Sequence, residues 1–207
     1  YDVLPAVFTA KKALAADAPL IHPLTTSQNI FKTITASQGD VDQGLIQSDL
    51  VFEDEFTLSA VQHVALEPIA CICHFIGEDS LTIWATTQTP FQERRVLAEI
   101  LDLPENRIRV IKPIMGGGFG ARQQIHNTHI GALLSKLVNR PVKIVNTREE
   151  ELYASSVRHE VITKLKIGVN RSGLLQAFDA ELFFNAGAYS SQSPVVAAAA
   201  SRKLQYR

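Results

Sequence analysis

The sequence predicts an α+β domain, a mixed sheet with packed helices, and three observations lead there. Runs that alternate apolar and polar residues stand in one block with runs of helical period. The composition, 46% hydrophobic and 20% charged in 207 residues, lies near globular averages and excludes disorder and low complexity. A glycine cluster, Gly116-Gly-Gly-Phe-Gly120, joins a strand pattern to a helix pattern.

Residues 1–45 are rich in Pro, Ala, Thr, Ser and Gln with weak periodicity, and read as an extended entry segment or linker to a folded part over 46–207. Asp49 to Leu58 alternates as a strand does. Ile69 to Phe75 and Leu81 to Thr86 are two further strand candidates. A helix is expected to open at Thr89, with Pro90 in the first helical position and Gln92 completing a Thr-x-x-Gln capping box. Its apolar stripe is Val96, Leu97, Ile100 and Leu101, and Leu103-Pro104 ends it. Ile108 to Ile111 reads as a short strand. Beyond the glycines, Ile130, Leu133, Leu134, Leu137 and Val138 follow the i, i+3, i+4, i+7, i+8 template of a second helix, which Arg140-Pro141 stops. Val142 to Val145 reads as a strand, and Thr147 with Glu150 is a capping box for a short helix through Leu152. The remainder is a β-hairpin. Val161, Thr163, Leu165, Ile167 and Val169 share one face, Asn170-Arg-Ser-Gly173 turns, and Phe178, Ala180, Leu182 and Phe184 share the next.

The net charge of −1 leaves no electrostatic footprint for nucleic acid. The longest apolar run, Val195 to Ala200, is far shorter than the roughly 20 residues of a membrane span. Two cysteines make no disulfide framework. With no leader pattern behind Tyr1, a cytoplasmic protein is expected. The Ala-rich close at 194–200 suggests a piece of a longer polypeptide.

The loop Met115-Gly-Gly-Gly-Phe-Gly-Ala121 carries the most information. Without Cβ atoms, its backbone can touch a ligand and adopt positive φ. A helix directly after it would aim free N–H groups and the positive dipole end at the same place, which suits an anion. The bland alternative is a tight turn that binds nothing. A phosphate-binding P-loop is excluded, because Ala121-Arg122-Gln123 follows the last glycine. The dinucleotide pattern G-x-G-x-x-G/A fits formally as Gly116, Gly118 and Ala121. Against it, Lys112-Pro113 breaks the preceding strand, and Asn146 stands where a ribose-binding acid belongs.

Several segments then occur in order: Ala85-Thr-Thr-Gln-Thr-Pro90, Leu103-Pro-Glu-Asn-Arg-Ile-Arg-Val110, Met115-Gly-Gly-Gly-Phe-Gly-Ala-Arg122, Asn139-Arg-Pro-Val142 and Ser156-Val-Arg-His159. Together they resemble the molybdenum-binding subunit of the xanthine dehydrogenase and aldehyde oxidase family, over about residues 1–200. The resemblance is to the first of two molybdopterin-binding regions of that subunit.

It implies that Gln88 hydrogen-bonds an oxygen on molybdenum, and that Gly117, Gly118, Phe119 and Gly120 contact the cofactor, the Phe119 ring shielding the metal from water. It implies no direct metal ligand in this chain. Where xanthine-oxidising members place a Glu that steers the purine, this chain has Gln123. An uncharged amide there leaves an N-heterocycle other than xanthine, or an aldehyde, equally open. The family's substrate-orienting Arg and its catalytic base, a late Glu, lie in segments this chain does not contain. Iron–sulfur clusters and FAD are implied on partner subunits or domains, since no four-Cys pattern is present. The resemblance thus implies part of a molybdenum hydroxylase, an oxidoreductase whose partners are the remainder of its own subunit, the electron-carrying subunits and a small-molecule substrate. The isolated chain is expected to be inactive. The alternative is a Rossmann-like NAD-binding half of a dehydrogenase, and a third reading is a non-catalytic partner-binding domain.

Weaker signals read as structure. Cys71 and Cys73 form a small apolar pair on one side of a strand. His126 and His129 lack a third metal ligand and are expected to line a cleft. Glu149-Glu-Glu151 reads as a solvated first helical turn, Arg94-Arg95 as an exposed helix face, and His159 as a structural polar contact.

Overall fold

The structure, a computed structural model, describes residues 1–24, 28–77 and 79–204. Its elements run α1 (Ala10–Ala13), α2 (Val41–Ile46), β1 (Leu50–Leu58), β2 (Val61–Gln62), β3 (Ala70–Ile76), β4 (Ser80–Ala85), α3 (Pro90–Leu101), a 3-10 turn at Glu105–Arg107, β5 (Ile108–Ile111), α4 (Thr128–Val138), β6 (Val142–Val145), α5 (Arg148–Ala154), β7 (Val157–Arg158), β8 (Val161–Val169), β9 (Leu175–Phe184) and α6 (Ser193–Leu204). Mixed sheets with packed helices make this an α+β fold, as the sequence predicts. Each expected strand and helix lies within about two residues of its expected bounds. Not expected were the short helices α1 and α2, the two-residue pair β2–β7, and α6. Among the described residues no helix is long and apolar enough to cross a membrane.

The chain forms two compact units, Tyr1–Ala60 with His159–Arg207, and Val61–Arg158. The expected boundary at 45/46 falls inside α2 of the first unit. In that unit β1, β8 and β9 pair antiparallel in the order β1-β8-β9. Asn170 shapes the β8–β9 turn by an Asx mechanism. Its Oδ1 accepts from the amides of Ser172 and Leu174 at 3.1 and 2.9 Å, and Gly173 supplies the positive φ of 83°. Every residue of β1 is exposed, including Phe52 at 59% and Phe56 at 49%, so its alternation buries neither face in this chain. α2 packs on the sheet where Gly44 meets the backbone of Gln176 and the Cβ of Ala177.

His159 lies beside α6 in this unit. Its Nε2 is 2.8 Å from Ser193 Oγ, and its ring meets Phe184 edge-on at 6.0 Å. Burial pushes its pKa below the ordinary value. The folded state therefore resists a proton that the unfolded chain accepts. Above the unfolded pKa of about 6.5 neither state is charged and the shift has no effect. As the pH falls below that value the unfolded chain is protonated first and stability is lost. Thermal melts from pH 8 to pH 5 should fall more steeply for the wild type than for His159→Gln. Parallel profiles would show that His159 does not contribute.

The second unit holds the main core. Its sheet has the order β5-β4-β3-β6, with β4 parallel to β5 and the other pairs antiparallel. Directly opposed pairs Cys71–Ala85, Cys73–Ile83 and Phe75–Leu81 put six buried side chains on one face. α3 and α4 cover that face through Leu97 and Ala132, both 0% exposed. The other face carries the opposed pair Ile72–Trp84, each 37% exposed.

α4 departs from expectation. Its buried residues are Thr128, Gly131, Ala132 and Ser135, while the apolar stripe Ile130, Leu133, Leu134, Leu137 and Val138 is exposed. The cause is close packing on β3. A Cβ at Gly131 would stand 2.9 Å from Cys73 Sγ and 3.5 Å from Cys71 Sγ, so only a small-residue face can approach. Ser135 Oγ then accepts the Phe75 amide at 3.0 Å and donates to the Arg140 carbonyl at 2.7 Å. The two cysteines are free, buried core residues, as expected. The Cys71 sulfur hydrogen-bonded to it, together with burial, holds the Cys73 thiol far above its ordinary range.

Three further expectations are revised. Thr89 caps α3 without a side-chain bond to its first turn, because its hydroxyl donates to the Gln123 carbonyl at 3.1 Å. The Thr147–Glu150 capping box does form. Glu151 is not solvated but 2% exposed, and its Oε2 accepts from the Ile69 amide at 3.0 Å and from Asn146 Nδ2 at 3.3 Å. Arg95 is exposed as expected, whereas Arg94 is half-buried and pairs with Glu105 at 3.2 Å.

Candidate functional site

The glycine loop lies in the second unit between β5 and α4, and its shape follows from its residues. Gly117, Phe119 and Gly120 have φ of 102°, 52° and 96°. The Ala121 amide donates to the Gly118 carbonyl at 2.8 Å, closing a turn whose two central residues, Phe119 and Gly120, both have positive φ. A non-glycine residue in that region costs roughly 1–2 kcal/mol. The geometry turns the Phe119 ring outward, 64% exposed, over Gly117, where a Cβ would stand 2.8 Å from Phe119 Cε2.

Gln88 comes from the segment that leaves β4. Its backbone amide donates to the Arg122 carbonyl at 2.8 Å. Its side-chain Oε1 accepts from the amides of Gly120 at 2.9 Å and Arg122 at 3.2 Å. Two N–H donors demand an oxygen there, which fixes the otherwise ambiguous amide orientation. Nε2 therefore faces the other way, and no acceptor among the described residues takes it. Contact with the loop is close: a Cβ at Gly118 would stand 2.7 Å from Gln88 Cδ.

The loop amides divide into two sets. Those of Gly120 and Arg122 are held by Gln88, and that of Gly116 by Glu67 Oε2 at 2.5 Å. Those of Gly117, Gly118 and Phe119 have no acceptor among the described residues. Gly118 is itself buried, so its amide wants a partner. These three loop amides and the Gln88 N–H₂ are donors that no acceptor among the described residues takes, which suits a ligand rich in acceptor oxygens.

The structure thus brings Gln88, Gly117, Gly118, Phe119 and Gly120 together. Gln123 joins them through its backbone, held by Thr89, and is half-buried. The expected helix dipole is absent from the loop. α4 begins only at Thr128, after residues 121–127, and Thr128 Oγ1 donates to Glu93 Oε1 at 2.6 Å. Any anion site rests on the loop amides and the Gln88 carboxamide, without a helix N-terminus. His126 precedes α4 and lies 2.9 Å from the Ala121 carbonyl. Among the described residues no group of three or more His, Cys, Asp or Glu is placed to hold a metal ion.

The dinucleotide alternative is not supported. The parallel pair β4–β5 is connected through α3, not through the glycine loop. β5 and β6, which flank the loop and α4, stand at opposite edges of the sheet.

Sequence reading missed Glu67 and the role of Arg122. Arg122 is 0% exposed, with Nη1 3.0 Å from Glu67 Oε2 and Nη2 donating to the Glu67 carbonyl. Its place inside the glycine motif was the available signal; Glu67, 55 residues earlier, had none. A concavity of about 1990 Å³ lies in the other unit, between residues of 7–22 and 28–41 and the β9–α6 region. It holds none of these groups. A smaller cleft of about 520 Å³ is lined by Gln88, Thr89, Pro90, Phe91, Gln92 and Lys112.

The sequence pattern of the family described as "Molybdopterin cofactor-binding domain" matches residues 21–207. The large molybdopterin subunit of nicotinate dehydrogenase from Eubacterium barkeri is 37% identical over 196 residues, covering 95% of this chain and 45% of that protein. A putative xanthine dehydrogenase molybdenum-binding subunit of Escherichia coli K12 is 35% identical over 207 residues, 100% of this chain and 27% of that protein. Among solved structures, the aldehyde oxidoreductase of Desulfovibrio gigas shares the fold, with a TM-score of 0.80 at 20% identity over 87% of this chain and 20% of that one. Reconstituted CO dehydrogenase from Oligotropha carboxidovorans gives 0.72 at 26% identity over 93% and 26%. The chain spans less than half the length of these relatives. With its glycine loop, its braced glutamine and a family pattern covering nearly all of its length, the chain belongs to the molybdopterin cofactor-binding domain family.

Proposed function

We propose that this chain supplies part of the molybdopterin site of a molybdenum hydroxylase, with residues 1–45 as entry segment and 46–207 as part of the cofactor domain. Gln88, Gly117, Gly118, Phe119 and Gly120 contact the cofactor, and Gln123 faces the substrate. The carrying observation is the pinned carboxamide: Oε1 is occupied by two loop amides, so Nε2 is presented outward as a donor. A donor held in advance loses little entropy on binding an oxygen-bearing group.

When bound, the cofactor supplies the two-electron redox chemistry of hydroxylation at an electrophilic carbon. The residues of this chain do the rest. Gln88 orients by donating from Nε2, the loop amides at 117–119 neutralise acceptor charge, and the exposed Phe119 ring excludes water once covered by a ligand. The substrate is an N-heterocycle or an aldehyde, Gln123 offering it a neutral amide. Electrons leave to iron–sulfur and FAD subunits or domains, the remainder of the molybdenum subunit completes the site, and the enzyme works in the cytoplasm.

The experiment compares the complete protein that carries this chain with its Gln88→Ala variant. Molybdenum and pterin per protein should fall several-fold in the variant, and turnover of an N-heterocycle and aldehyde panel should fall at least as far. Unchanged metal content and turnover would refute the reading.

A further inference from the structure

The segment before β3 lies along the glycine loop, and alternate residues touch it. His63 Nε2 comes within 4.0 Å of where a Gly120 Cβ would be, Ala65 Cβ within 3.4 Å of that point at Gly117, and Glu67 Cβ within 2.7 Å at Gly116. Further contacts hold the segment to α5 and the residues after it. Arg148 donates to the carbonyls of Ala65 and Leu66 at 2.9 and 2.6 Å, Gln62 Nε2 to that of Glu151 at 2.8 Å, and His63 Nδ1 lies 3.2 Å from that of Ser156. Between His63 and Ala65, Val64 is forced to φ 48°, a conformation that a β-branched residue adopts only when its surroundings over-determine it.

Glu67 is where this rail grips the loop. Its Oε2 accepts from both the Gly116 amide and Arg122 Nη1, so one oxygen ties the first residue of the glycine run to the residue just past its last turn. Arg122 in turn presents its amide to Gln88 Oε1 and its carbonyl to the Gln88 amide. Glu67, Arg122 and Gln88 therefore form one connected set, with the loop strung between Gly116 and Arg122. Core stability does not account for the pair. A guanidinium taken fully out of water is costly, apolar replacements of such pairs are often neutral, and Arg122 Nε is left without a partner.

We propose that Glu67 and Arg122 are positioning residues: a latch that holds the two ends of the glycine loop and thereby sets where Gln88 Nε2 and the 117–119 amides point. The inference rests on the cofactor reading of the loop. Neither residue need touch the cofactor, and both act through Gly116 and Gln88. Removing the latch should leave the loop tied only at its Gln88 end.

The test uses the complete protein with Glu67→Ala, Glu67→Gln, Arg122→Met and Arg122→Lys, and Gln88→Ala as reference. Hydrogen exchange of the cofactor-free protein reads the latch directly. The Gly116 amide should exchange about tenfold faster in Glu67→Ala, with the amides of the β3–β4 core unchanged. In the loaded protein, Glu67→Ala and Arg122→Met should hold several-fold less molybdenum. Glu67→Gln, which keeps an acceptor for Gly116 but no charge for Arg122, should load while shifting the Mo(V) paramagnetic resonance and lowering kcat more than KM changes. Arg122→Lys, which keeps the charge, should recover loading. Should an alanine or methionine variant not accumulate, Glu67→Gln decides alone by its resonance and its kcat–KM split. Wild-type exchange, loading and resonance in these variants overturn the latch. If Gln88→Ala is also wild-type in loading, the cofactor reading falls with it; if Gln88→Ala alone loses cofactor, only the latch is wrong.

Discussion

Gly118→Leu should abolish cofactor retention while leaving the sheet folded. A Cβ at residue 118 would stand 2.7 Å from Gln88 Cδ, 2.8 Å from Oε1 and 2.9 Å from Cγ, so the glutamine must leave its position. Its departure strips the acceptor from the amides of Gly120 and Arg122 and takes Nε2 from its held position. A hydrogen bond to a charged group is worth about 1.5–3 kcal/mol, so losing the Nε2 donor alone costs about tenfold or more in affinity at about 1.4 kcal/mol per factor of ten. Molybdenum content of the complete protein should fall at least tenfold. The core face of β3 and β4 lies outside this contact, so the far-ultraviolet circular dichroism should not change. Normal loading of Gly118→Leu would mean that Gln88 and the loop need not touch.

Gly131→Leu should be among the most destabilising single changes in the second unit, although it improves helix propensity by close to 1 kcal/mol. The new side chain would enter the space held by Cys73 Sγ, 2.9 Å from its Cβ, and by Ile144 Cδ1 at 3.5 Å. Overpacking of this kind costs about 1–3 kcal/mol and sometimes more. By contrast Leu134→Gln, on the 41% exposed side of the same helix, should stay within about 0.5 kcal/mol in this chain. Urea unfolding of the two variants reads the difference. If Leu134→Gln proved the more damaging, α4 would have to pack with its apolar stripe inward.

That helix shows where sequence reading runs out. Periodicity located α4, and Arg140-Pro141 its end; in the structure Asn139, with φ of 49°, closes it. It could not say which face is buried. The apolar stripe is the stronger signal by composition, but steric fit with Cys71 and Cys73 selects Gly131, Ala132 and Ser135. The capping signals divide in the same way. Thr147 and Glu150 are local and form their box, whereas the Thr89 hydroxyl is taken by Gln123, 34 residues away. Strands β3 to β6 were legible because their alternation and turn residues are local. The short helix α2 was not, as its six residues carry too little pattern. At the site, the glycine loop and Gln88 were legible through motif order. Glu67 was invisible because its partners are set by tertiary packing alone.

In the proposed site the loop amides and the pinned Gln88 carboxamide form one donor surface for the cofactor. Anomalous diffraction at the molybdenum edge, from crystals of the loaded complete protein, tests it most directly. The metal-bearing end of the cofactor should lie against Gln88 Nε2, with acceptor atoms on the amides of Gly117 to Phe119 and Oε1 still held by Gly120 and Arg122. A metal peak remote from Gln88, or a glutamine turned so that its nitrogen meets the Gly120 amide, would contradict it.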